Sequence, residues 1–147
     1  MAEQLAEARD LAGTLPVDYR RLAHVVVVAS TVPDDHELAA QTRVFLTVLG
    51  EDPDELLTKM LADSGHTVLP GSENPGNSVE VDGEKVTYTV GPNFGLSISW
   101  IRPMEDDLYR VETSYYCGTL CAGQNDYIVR ATAESIEVVR VERGWIS

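Results

Sequence analysis

The apolar positions of this chain change period near residue 66. Ahead of that point they recur at three- and four-residue intervals, the spacing of one helix face. Beyond it they alternate with polar residues, the spacing of a half-buried strand. AEQLAEARDLAG places Leu5, Ala8 and Leu11 or Ala12 on one side. EDPDELLTKMLADSG carries the strongest helical pattern, with Leu56, Leu57, Met60 and Leu61 in one stripe. Asp52 is the expected cap, Pro53 suits the first turn, Glu55 stands at the capping-box spacing and Gly65 is the expected stop. A further helix is expected from Asp34 or Asp35 through Leu38, Val44, Phe45, Val48 and Leu49. Residues 16–32 support two readings. The run Val25 to Val28 favours a buried strand, whereas Pro16 opens a helix well and Tyr19, Leu22, Val26 and Ala29 keep helical spacing. Helix is the favoured reading.

In the second half, Val86, Tyr88 and Val90 alternate with threonines, and Phe94, Leu96, Ile98 and Trp100 alternate with Gly and Ser. Tyr109, Val111, Thr113, Tyr115 and Cys117 share one face, and YIVRATA and IEVVRV follow. Turns are expected at Asp82-Gly83, at Gly91-Pro92-Asn93, from Met104 to Asp107, and as a loop from Cys117 to Asn125. These features describe an antiparallel meander of five or six strands. Helices followed by hairpins predict an α+β fold, with N-terminal helices packed on a C-terminal curved antiparallel sheet. The expectation is a single domain over 1–147, mainly helical over 1–66 and sheet over 67–147. Such a helix-covered sheet often encloses a pocket.

At 147 residues and 44% hydrophobic the chain suits one domain with a real core. No apolar run approaches the ~20 residues of a membrane-spanning helix. MAEQLAEARD lacks the basic and apolar regions of a signal peptide, so the chain as it stands is expected in the cytoplasm, or exported if a signal has been removed. The net charge of -13 repels phosphate backbones and anionic membranes, so no nucleic-acid partner is expected. Lys59 and Lys85 are the only lysines, against nine arginines among the 11 basic residues. That bias fits a bacterial or archaeal chain from a GC-rich genome or a salt-adapted proteome. The acid excess reads as a solvated surface.

Cys117 and Cys121 give the C-terminal half its one unusual motif, YYCGTLCAG. A two-cysteine pair supplies half of a zinc site, and His24, His36 and His66 keep no ligand spacing, so no metal or cofactor is expected. A redox site of the thioredoxin kind needs two intervening residues at a helix start. A disulfide needs Cα atoms within ~7 Å, reachable through a turn at Gly118, and would stabilise by about 2 kcal/mol. Two reduced thiols acting as small hydrophobes fit equally. Either way the pair is a structural corner, and the compartment decides its redox state.

Nucleophile elbows and phosphate loops are absent. Asp63-Ser64-Gly65-His66 contains triad letters, but contiguous residues at a helix end cannot converge. DDHE, EDPDE and QND lack calcium-loop spacing. An acid–base enzyme of isomerase, hydrolase or cyclase type would draw on Asp18, Tyr19 and His24, facing Tyr88, Trp100 or Tyr115 across a pocket. Inward tyrosines more often fill core. The favoured reading is therefore a binding or structural module for a small molecule or a protein, with a homodimer compatible. A deep pocket holding a buried Asp or His would point to an enzyme, and a filled core with an exposed groove to binding.

LSISWIRP, YYCGTLCAG, a closing hairpin and a terminal WIS resemble a group of small bacterial domains that carry C-G-x-L-C-G and a final W-x-S. The resemblance covers residues 95–147. It departs at Ala122, where the group has glycine, and at Ala133-Glu134-Ser135, where the group has a lysine-rich tip. It implies export or lipid anchoring and transfers no mechanism. The outline is also similar to cystatin-like and nuclear-transport-factor-2-like folds, which implies a shape and no activity.

Overall fold

The computed structural model describes residues 2–31, 43–65, 67–89 and 91–146. Helices α1 (Ala2–Gly13) and α2 (Tyr19–Thr31) precede strand β1 (Arg43–Val48), helix α3 (Glu55–Asp63) and strand β2 (Val68–Pro70). A 3₁₀ turn (Gly71–Glu73) leads to the hairpin β3 (Ser78–Val81) and β4 (Glu84–Thr87). Four long strands follow: β5 (Asn93–Pro103), β6 (Leu108–Gly118), β7 (Cys121–Ala131) and β8 (Ile136–Ile146). The main sheet has the order β2-β1-β5-β6-β7-β8. β5 to β8 form the expected antiparallel meander. β1 pairs parallel to both β2 and β5, so the sheet is mixed. The fold is α+β, as the pattern predicted. No helix among the described residues is long and apolar enough to cross a membrane.

Local chemistry explains each element. α2 resolves the ambiguous stretch as a helix, because Leu22, Ala23, Val26 and Val27 are all fully buried on one face. Burial of that face outweighs the β preference of four valines. Asp54, and not Asp52, caps α3: its Oδ1 accepts from the Leu57 N–H at 2.9 Å. Asp52 instead ties the 3₁₀ turn, accepting from the Ser72 N–H at 2.9 Å and its hydroxyl at 2.5 Å. For Asp54, burial alone would raise the pKa; the Leu57 N–H and the Arg20 guanidinium outweigh it and hold the carboxyl below its usual value. The helix ends at Ser64, with Gly65 at φ +84° beyond it.

The helix expected through Val44 to Leu49 is not one over its described part. Residues 43–48 are β1, and Leu49 (φ 52°) and Gly50 (φ 82°) turn the chain out of it. Val44 and Val48 lie four apart, a spacing that strand alternation satisfies as well as a helix does. Pairing on both edges settles the matter. The expected start at Asp34 or Asp35, and Leu38, lie outside the described residues.

Three further expectations change. A bulge between Ile98 and Trp100 breaks the Phe94-to-Trp100 alternation and hands the core position to Ile101, which is fully buried. The loop expected from Cys117 to Asn125 is a tight turn at Thr119 and Leu120, with β7 starting at Cys121. The strand over EKVTYTV belongs to a separate two-stranded sheet, whose Val79 and Val86 are directly paired and exposed.

Leu46, Ile98, Val111 and Val129 from the sheet meet Leu22, Val26, Leu57 and Leu61 from the helices in one core. Each such side chain contributes on the order of 1.5–3 kcal/mol by leaving water. Phe45, Ala122 and Ile128 are also buried but stand outside this cluster, on the alternate positions of their strands. They mark the opposite face of the sheet.

Candidate functional site on the face opposite the described helices

The residues singled out for acid–base work do not converge. Asp18 accepts from the Arg20 N–H at 3.0 Å and its guanidinium at 3.1 Å. Tyr19 shares a shallow recess with Asp18 and Arg20. Burial pushes its phenol up; the Arg20 charge opposes this and Asp54 reinforces it. His24 lies outside that recess, with Nε2 2.7 Å from the Ser64 hydroxyl, and so links α2 to the end of α3. Tyr88 is exposed beyond β4. Trp100 lies under the Arg102 guanidinium, 4.1 Å from its ring centre. Tyr115 stacks on Phe94 at 5.5 Å. His36 and His66 lie outside the described residues. Among the described residues no three His, Cys, Asp or Glu side chains are grouped to hold a metal.

Cys117 and Cys121 are at disulfide distance, with Cα atoms 5.0 Å apart. Their turn is docked by backbone bonds. Thr119 and Leu120 donate to the carbonyls of Tyr88 and Thr89 at 3.0 and 2.9 Å, and the Gly91 N–H donates to the Cys117 carbonyl at 2.7 Å. A Cβ on Gly118 would fall onto those two acceptor carbonyls, so only glycine fits between the cysteines and the β4–β5 connection. The pair clamps a corner.

Each face of the sheet carries a concavity. On the helix side, a cavity of about 400 Å³ is lined by Ser30, Thr113, Asn125, Tyr127 and Arg143, among others. Its hydroxyls serve the fold: Ser30 donates to the Val26 carbonyl at 2.7 Å and pairs with the Tyr127 hydroxyl at 3.0 Å, and Thr113 donates to the Asn125 carbonyl at 2.8 Å.

The opposite face is organised in rows, because paired strands bring equivalent positions side by side. Arg102, Arg110, Ile128 and Arg140 form a basic row. Trp100, Glu112, Asp126 and Glu142 form the acidic row beside it. The two rows neutralise each other. Arg102 bonds Glu112 at 2.6 Å, Arg110 bridges Asp126 at 3.0 Å and Glu142 at 2.9 Å, and Arg140 meets Glu142 at 2.9 Å. Hydrogen bonds from Arg140 and Arg110 hold the Glu142 carboxyl below its usual range. Ile128 is buried among the arginine stems, which cover apolar surface while their charges stay in water.

The next two rows carry no charge. Thr47, Ser97, Ser114 and Gln124 lie in register, and beside them Phe45, Gly95, Tyr116 and Ala122. The hydroxyls of Thr47, Ser97 and Ser114 have no hydrogen-bond partner among the described residues. Gly95, between Phe45 and Tyr116, makes room for the Asn74 side chain; a Cβ there would lie 3.2 Å from the Asn74 amide nitrogen and 3.4 Å from the Tyr116 carbonyl. Trp145 closes the end on β8. The result is a recess of about 310 Å³ with Tyr116 48% and Trp145 55% exposed. No family, no characterised protein and no solved structure matches this chain.

Of this recess the sequence reading had Tyr115 among its pocket candidates and none of the outward positions: it followed the inward positions of each strand. The signal lay in the alternate positions. Gly95 and Ser97 on β5, and Ser114 and Tyr116 on β6, are small, hydroxylic or aromatic, whereas Arg102, Arg110 and Glu112 further along are charged.

Proposed function

We propose that this chain is a binding module whose ligand site is the uncharged recess on the sheet face opposite the described helices. The observation that carries the reading is the row of three unengaged hydroxyls beside exposed Tyr116 and Trp145. Rings left half in water forgo part of the burial energy open to a large apolar side chain, on the order of 1 kcal/mol each, and half-buried hydroxyls without protein partners remain available to a ligand. A concave patch that combines both is prepared for a molecule with an apolar face and several polar groups. The recess holds no carboxylate or imidazole among its lining residues, so binding is favoured over acid–base chemistry.

A thermal-shift screen of neutral, water-soluble compounds tests it. A ligand at ten times its Kd stabilises by about 1.4 kcal/mol. Compounds that raise the Tm of the wild-type chain are expected to leave a Tyr116→Ala, Trp145→Ala double variant unmoved. Both residues are exposed, so the variant itself should change stability by only about 0.5 kcal/mol. Hits that keep their full shift on the variant contradict the reading.

A further inference from the structure

Resting on that reading, we infer that the occupant is a neutral oligosaccharide lying across the strands. The row geometry is the reason. Neighbouring strands stand ~4.8 Å apart, so Thr47, Ser97 and Ser114 present three free hydroxyls in a straight line about 10 Å long. Gln124 extends the same line by one strand. Beside it stand the half-exposed rings of Tyr116 and Trp145, while Phe45 is buried in the floor at the other end of its row. A linear array of donors and acceptors beside two exposed aromatic rings asks for a ligand with the same division. Sugar rings have it, with C–H faces that lie against aromatic rings and a margin of hydroxyls that bond to serine, threonine and amide groups.

Charge narrows the class. Among the lining residues there is no Asp, Glu, Lys, Arg or His. Arg102, Arg110 and Arg140 of the charged rows are already held by Glu112, Asp126 and Glu142. Arg43, one row beyond Phe45, lies over its ring and donates to the Asn93 amide oxygen. The chain as a whole carries -13, which repels anions. Uronates, sulfated sugars and phosphorylated ligands therefore meet no counter-charge among the lining residues, and Arg43 is the one cation at the margin among the described residues. An acyl chain would suit the Tyr116 and Trp145 rings but would strand the hydroxyl row without partners in a dry contact, which costs affinity.

The full chain is titrated with short β-glucan, xylan and mannan oligosaccharides, followed by tryptophan fluorescence and calorimetry. At least one is expected to bind with Kd on the order of 0.1–1 mM. Affinity should be unchanged between about 50 and 500 mM salt, since no ion pair forms. Trp145→Ala should weaken binding by roughly tenfold or more, and Ser97→Ala with Ser114→Ala by about fivefold, the size of one or two lost hydrogen bonds. The serine variants guard against a folding defect in the tryptophan variant, and circular dichroism of each checks it. The inference is overturned if none of these sugars binds, or if only an oligouronate binds and salt abolishes it. A different neutral compound whose binding Trp145→Ala removes would keep the recess as a ligand site and overturn the sugar alone. Sugar binding that survives both sets of substitutions would overturn the recess itself. A dimer dispersed by Trp145→Ala and indifferent to sugar would give the face to a second copy of the chain, and overturn the inference likewise.

Discussion

Replacing Leu46 with alanine is expected to lower the unfolding free energy by about 3 kcal/mol, the middle of the range for a fully buried leucine. Leu46 is 0% exposed and lies between Pro70 on β2 and Leu96 on β5, in the core that α2 and α3 close. The effect also discriminates between two structures for the same residues. On a helix whose stripe is Val44, Phe45, Val48 and Leu49, Leu46 falls off the stripe and its truncation costs little. On β1 it points into the core with Val44 and Val48. Leu56→Ala serves as a control, because Leu56 is 52% exposed on α3 and should cost no more than about 0.5 kcal/mol. Urea midpoints of the two variants decide the matter. A loss below ~1 kcal/mol for Leu46→Ala would remove β1 from the centre of the sheet.

Opening the Cys117–Cys121 bridge is expected to cost about 2 kcal/mol, the chain-entropy value for so short a loop. The Cys117→Ser, Cys121→Ser double variant and the reduced wild-type protein should shift alike. Amide exchange at Thr119 and Leu120 should quicken more than in the centre of β6, because those two N–H groups hold the Tyr88 and Thr89 carbonyls only while the turn keeps its shape. Alkylation in denaturant reads the bridge directly: Cys117 and Cys121 should react only after reduction. Immediate reaction of both thiols, with an unchanged urea midpoint on reduction, would contradict a bridged corner.

How much of this was legible in the sequence depended on whether the deciding interaction was local. The α1 pattern, with Ala8 and Ala12 buried, and the α3 stripe, with Leu57 and Leu61 buried, follow from helical period alone. So does the inward face of β6 through Tyr109, Val111 and Thr113. α2 needed tertiary burial to outweigh its valines. β1 was misread because its spacing suits two periods, and its pairing partners at residues 68–70 and 93–98 are far along the chain. The cap moved from Asp52 to Asp54 because a contact with Ser72 claims Asp52, and that contact is invisible locally. The cysteine corner was legible as chemistry, though not as a two-residue turn. The recess was not legible as a site, since it exists only once β1, β5, β6 and β7 are in register and β8 has brought Trp145 to their edge.

Amide chemical-shift mapping with a bound neutral ligand, either a short β-glucan or any compound from the thermal-shift screen, locates the binding site on the sheet. The perturbed amides are expected to centre on Thr47, Ser97, Ser114, Tyr116 and Trp145. Perturbations centred instead on Ser30, Thr113, Asn125 and Tyr127 would place the ligand in the helix-side cavity and contradict that expectation.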